Sequence, residues 1–129
     1  RIGGFNQNLR KEISKSPRYY FWDNGIRNAI LNDFKMPEFR NDIGPLWENY
    51  LLSERAKKLK YGPVFKEIYF WRTYDQQEID SIEVRNNEIE AYEFKWQERL
   101  VKIPPAFASN YPHASFQVIH RGNYLDFIE

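Results

Sequence analysis

Hydrophobic positions along the chain switch between helical and strand spacing. From Asp42, the residues Ile43, Leu46, Trp47, Tyr50, Leu51 and Leu59 fall near one helical stripe, the pattern of a helix that buries one side. Asp42 is a candidate cap, Pro45 is tolerated in the first turn and Tyr61-Gly62-Pro63 ends the run, so the longest helix is predicted over 43–60. Strand composition follows in Ile68-Tyr69-Phe70-Trp71, then a polar turn at Tyr74-Asp75-Gln76-Gln77 and a second strand through Ile79, Ile82 and Val84. Asn86-Asn87 marks a hairpin turn into Ile89 to Trp96. Pro104-Pro105 opens a short helix through Ala108, Tyr111-Pro112 stops it, and Phe116, Val118 and Ile119 form a fourth strand.

Upstream the pattern is weaker. Tyr19-Tyr20-Phe21-Trp22, closed by Asp23-Asn24-Gly25, reads as a strand and turn, and Ile26, Ala29, Ile30 and Phe34 as a brief helix before Pro37. Residues 1–18, with Ile2, Phe5, Leu9 and Ile13 as apolar anchors, read as a connecting arm with room for one short helical or extended piece. The tail Tyr124-Leu125-Asp126-Phe127-Ile128 is expected to pack back on the core. From residue 43 the order is helix, strand, strand, strand, helix, strand, which predicts a mixed α/β sheet flanked by helices.

Composition supports one domain: 129 residues with 42% apolar and 18% aromatic content supply a core and exclude wholesale disorder. A net charge of +1 means that a polyanion must be met by a local patch rather than a global field. The chain has no Cys, which excludes disulfides, thiolate nucleophiles and Cys-ligated zinc. No run approaches the roughly 18 apolar residues of a membrane span and no signal-type segment opens the chain, so a soluble, cytoplasmic protein is expected. A start at Arg1 rather than Met reads as a piece of a longer polypeptide. No Gly-Lys-Ser/Thr loop is present for ATP, and no Ser stands in a Gly-x-Ser-x-Gly elbow. His113 and His120 flank the last strand without metal-ligand or triad spacing and read as surface or capping residues.

The carboxylates remain. Strand alternation puts Glu78 and Asp80 on one face with Ile82 and Val84. In the next strand Glu93 and Lys95 point one way with Ala91 and Ile89, and Tyr92, Phe94 and Trp96 the other. Burying a charge is costly unless it is paired or bound to metal. A hairpin joining Asp80 to Glu93 and Lys95 suits Mg²⁺ or Mn²⁺ and phosphodiester chemistry. The competing reading is a cross-strand salt bridge between Lys95 and an acid. Glu48, at the margin of the helix stripe, either faces the sheet and adds a third acid or is solvated.

Helix Glu48, strand Asp80 and Glu93-x-Lys95 in this order resemble the restriction-endonuclease-like superfamily, with its PD-(D/E)xK motif. Five longer segments make the resemblance closer: Tyr20-Phe21-Trp22-Asp23-Asn24-Gly25-Ile26-Arg27, Asn41-Asp42-Ile43-Gly44-Pro45-Leu46-Trp47-Glu48-Asn49, Tyr69-Phe70-Trp71-Arg72-Thr73, Gln77-Glu78-Ile79-Asp80 and Tyr92-Glu93-Phe94-Lys95-Trp96. Together with Asn123 to Ile128 they resemble the uncharacterised C-terminal domain of bacterial and archaeal AAA-type ATPases, over residues 17–129. Ile79-Asp80 stands where the motif has Pro-Asp.

The resemblance implies a restriction-endonuclease-like αβββαβ core over 19–129 after a linker at 1–18, with Asp80 and Glu93 as metal ligands, Lys95 positioning water and Glu48 completing the acidic shell. It implies an ATPase, and its ATP, in an N-terminal part outside this chain. DNA or RNA would approach over Lys57, Lys58, Lys60, Arg99 and Lys102, residues that as surface charges are equally accounted for by solvation. The alternative function is a non-catalytic module that binds a partner or regulates the ATPase, using the aromatics at 19–22 and 69–71.

Overall fold

The computed structural model describes residues 1–5, 12, 17–25, 28, 35–36 and 40–129. The brief helix expected over Ile26 to Phe34 and the anchors Leu9 and Ile13 lie largely outside these residues. The described elements are β1 (Gly3–Gly4), α1 (Ile43–Tyr61), β2 (Glu67–Arg72), β3 (Glu78–Arg85), β4 (Glu88–Phe94), α2 (Pro105–Asn110), β5 (Ser115–Ile119) and α3 (Tyr124–Ile128). From residue 43 the expected order holds, and the chain is a mixed α/β fold.

The described strands form one sheet in the order β1-β2-β3-β4-β5. Its central pairs are antiparallel hairpins, while β1 runs parallel to β2 and β5 parallel to β4. The β3–β4 loop is Asn86-Asn87, both at positive φ (50° and 66°), the type I′ geometry whose twist matches that of the strands. The parallel β4–β5 pair requires a crossover, which α2 provides; Pro105 occupies its first turn, where the missing N–H costs nothing.

Each face of the sheet has its own core. On one, Trp71, Ile79, Ile82 and Ala91 pack with Phe5, Phe107 and Tyr111. On the other, Tyr92, Phe94 and Ile119 meet Trp47, Leu51 and Leu52 of α1 and Phe127 of α3, so the tail packs back as expected. The alternation in β4 is as read from sequence, with Ala91 and Ile89 on the first core and Tyr92, Phe94 and Trp96 on the second.

Three local features differ from the expectations. Tyr19 to Trp22 is not a strand. The side chain of Asn49, on α1, takes the place of a neighbouring strand: its Oδ1 accepts the Phe21 N–H at 2.7 Å and its Nδ2 donates to the Phe21 carbonyl at 3.0 Å. Residues 1–5, read as part of an arm with one short extended or helical piece, instead join the sheet as β1 and supply the core residue Phe5. Asp42 stands at the N-cap of α1 but caps through no side-chain bond, because Arg40 holds its carboxylate from Nε and a terminal nitrogen at 2.8 and 3.0 Å.

The buried side of α1 mixes Trp47, Leu51 and Leu52 with Asn49, Ser53 and Arg55. Arg55 donates to fully buried Glu83 of β3 (Nε–Oε1 2.6 Å, terminal N–Oε2 2.8 Å) and to the Phe127 carbonyl at 2.6 Å. One guanidinium thus ties helix, sheet and tail together. Buried Glu12 does a similar job on the other face, accepting from Trp71 Nε1 and the Tyr111 hydroxyl.

Candidate functional site

Asp80 owes its position to a β-bulge. Tyr69 pairs with Ile82 and Trp71 with Ile79, so three steps along β3 match two along β2. Ile79 and Ile82, three residues apart, therefore enter the same core, which strict alternation forbids. The extra residue falls at Asp80-Ser81. Asp80 is thereby released from the regular ladder, and its Oδ2 accepts the Phe94 N–H at the end of β4 at 2.8 Å. The sequence reading put Asp80 on one face with Ile82 and Val84; the bulge instead brings Ile79 into their core, and Asp80 lines a cleft with Pro45 and Glu48 of α1, the helix on the other face. Among the described residues the buried Ser81 hydroxyl has no hydrogen-bond partner.

Asp80, Glu93, Lys95, Glu48 and Glu78 line one open cleft of about 520 Å³, with Pro45, Trp96 and Arg99 on its walls. The four residues singled out in the sequence are thus gathered by α1, β3 and β4. Lys95 follows β4 directly and is held by its N–H on the Ile119 carbonyl, 3.0 Å. Its Nζ lies 3.2 Å from Glu93 Oε1. Glu48 accepts from the Tyr20 hydroxyl at 2.7 Å and from Arg18 at 3.5 Å. Arg18 also reaches Glu78 at 3.4 Å.

Charge in the cleft is unbalanced. Burial first, then Glu93 and Glu48, push the Asp80 carboxyl up to about 8, against the smaller pull of the Phe94 N–H and Lys95. Burial also raises Glu93, opposed by Lys95 and by a hydrogen bond from the Asp80 backbone. Burial and the neighbouring Glu48 carboxylate raise the Tyr20 phenol, which stays protonated as a donor. Among the described residues, no three or more His, Asp or Glu side chains form a group that could hold a metal ion. Asp80 and Glu93 stand together in the cleft, and Glu48 is engaged by Tyr20 and Arg18.

The lysines and arginines named for nucleic acid divide by surroundings. Arg99 lines the cleft and Lys102 is exposed. Lys58 donates to the Asp126 carbonyl at the end of the chain, 3.1 Å, and burial lowers its pKa. Lys57 pairs with Glu54 at 2.9 Å and lies 5.3 Å above the Trp22 ring, which Lys60 also approaches at 5.8 Å. Sequence reading missed Arg18 and Tyr20 as partners of Glu48, because nothing local signals a contact with a helix residue 30 or 28 positions downstream. His120 accepts the Gly122 N–H at 3.0 Å in a turn.

A two-layered helical cover on a bulged mixed sheet with an acidic cleft at one end of its central hairpin defines a small α/β domain. Residues 43–122 match the domain of unknown function DUF4143, and the chain belongs to that family. No curated protein and no solved structure matches it. No helix among the described residues is long and apolar enough to cross a membrane.

Proposed function

We propose that this chain is a restriction-endonuclease-like domain that cleaves phosphodiester bonds in DNA or RNA, with Asp80 and Glu93 as ligands for Mg²⁺ or Mn²⁺. The observation that carries the reading is the meeting of Asp80, Glu93 and Lys95 in one open cleft at the junction of adjacent strands. The donor set suits the ion: two oxygen-bearing carboxylates, crowded enough to hold a proton against their usual chemistry, leave room for the waters and substrate phosphate that hard divalent cations keep. A bound divalent ion supplies a more acidic water and neutralises charge on the phosphate.

The remaining work falls to the chain. Lys95, released from Glu93 when that carboxylate turns to other partners, orients the attacking water and offsets developing negative charge. Glu48 adds negative potential at the rim and is kept in place by Tyr20 and Arg18. Arg99, exposed on the cleft wall, meets the substrate backbone. The segments resembling the C-terminal domain of AAA-type ATPases support a parent polypeptide whose ATP site lies in a preceding, N-terminal part, acting in the cytoplasm.

A second reading rests on the 3.2 Å Lys95–Glu93 pair and on Glu48 already accepting from Tyr20: the cleft is a structural ion-pair cluster and the domain a non-catalytic module of the ATPase. Calorimetric titration with Mn²⁺, with cleavage assays on labelled DNA and RNA, separates the two. The nuclease reading expects one ion bound, lost in Asp80→Asn, and turnover abolished by Lys95→Ala. Cleavage that survives Lys95→Ala removes the role given to Lys95, and absence of ion binding favours the module.

A further inference from the structure

Away from the cleft, aromatic side chains lie open to solvent where α1 meets the 19–22 segment and β2. Trp22 is 49% exposed, Phe65 75% and Tyr61 76%. Phe21, Trp22 and Phe65 line a groove of about 450 Å³ whose floor includes Leu52, Ala56 and Ile68. Large exposed rings around a concave apolar strip mark a binding surface more often than chance exposure. The rings are accompanied by cations: Lys57 and Lys60 lie 5.3 and 5.8 Å from the Trp22 ring centre, and Lys60 lies 5.5 Å from that of Tyr61. Acids at the same edge are Glu54, paired with Lys57, and Glu67, bonded to Tyr69.

We infer that this groove is a stacking platform for single-stranded nucleic acid, with unpaired bases laid on Trp22 and Phe65 and the phosphates met by Lys57 and Lys60. Charge complementarity selects this occupant, because ammonium groups set over exposed rings serve a ligand that alternates flat apolar surface with negative charge. A duplex keeps its base faces stacked on one another and presents none to the rings, so the platform is selective for single strands. One hydrogen bond links the groove to the cleft: Tyr20, which lines the groove, places its hydroxyl on Glu48, which lines the cleft. The inference rests on the nucleic-acid part of the nuclease reading and names the strandedness of its substrate.

The test is fluorescence anisotropy of a labelled 12-nucleotide oligo(dT), with the intact chain in EDTA so that cleavage is silent. Binding is expected to be at least about fivefold tighter than to a duplex of equal length, and to weaken at least about fivefold in Trp22→Ala, with Trp22→Phe retaining most of it. Lys57→Gln with Lys60→Gln lowers the slope of log affinity against log salt by about 1.4. Far-UV circular dichroism confirms that each variant folds. If the parent chain does not cleave in Mn²⁺ but keeps Trp22-dependent binding, the nuclease reading fails and the platform stands. Equal affinity for duplex, unchanged binding in Trp22→Ala, or a preference for anionic vesicles over oligonucleotide overturns the platform.

Discussion

The Tyr20 hydroxyl donates to Glu48 at 2.7 Å, so one of the cleft's acids is held by a residue from outside the sheet. Tyr20→Phe removes that donor without altering the ring. Glu48 is then more available to a cation, and Mn²⁺ affinity measured by calorimetry is expected to rise about threefold or more, on the scale of one hydrogen bond to a charged group. An unchanged affinity would place Glu48 outside the ion's reach.

The Asp80 carboxyl moves from 3.8 to about 8 on folding. Across that interval the folded chain holds a proton that the unfolded chain has released, so stability falls as pH rises from about 4 to 8 and levels off above. Raised Glu93 contributes with the same sign. Thermal melts between pH 5 and 8 are expected to show Tm declining by on the order of 5 °C, and Asp80→Asn to flatten most of the decline. Mn²⁺ competes with the same proton, so its stabilisation grows with pH.

Arg55 and Glu83 form a pair buried between α1 and β3. Arg55→Met leaves a carboxylate in the core with Lys66 as its remaining cation at 3.9 Å, and denaturant unfolding is expected to show a loss of about 3–5 kcal/mol. Replacing both, Arg55→Met with Glu83→Leu, recovers most of that loss. A double variant as unstable as the single one would mean that the bond from Arg55 to the Phe127 carbonyl, not the ion pair, carries the effect.

Asn87 sits at φ 66° in the hairpin loop. Glycine takes this conformation without the steric cost borne by a side chain, so Asn87→Gly is expected to stabilise by about 0.5–1 kcal/mol in the same unfolding assay.

The elements from 43 onward were legible because each has a strong local cause. Apolar spacing marks α1, the Asn86-Asn87 dipeptide marks the hairpin, and Pro105 marks the start of α2. The hairpin brings Asp80 near Glu93 and Lys95 as expected, although the bulge turns Asp80 off the face that strict alternation gives it, and the spacing leaves Glu48 open between sheet and solvent. What escaped the sequence has distant causes. Tyr19 to Trp22 has strand composition, yet its backbone is satisfied by the side chain of Asn49 rather than by a strand. The bulge at Asp80-Ser81 depends on the register with β2, and the engagement of Glu48 depends on Arg18 and Tyr20 arriving from a segment that carries no periodic pattern.

The bulge separates two demands that ordinarily compete within one strand. Ile79 and Ile82 keep their places in the core whatever stands between them, so position 80 is a replaceable fitting on a fixed frame. Its charge can be changed without repacking the domain.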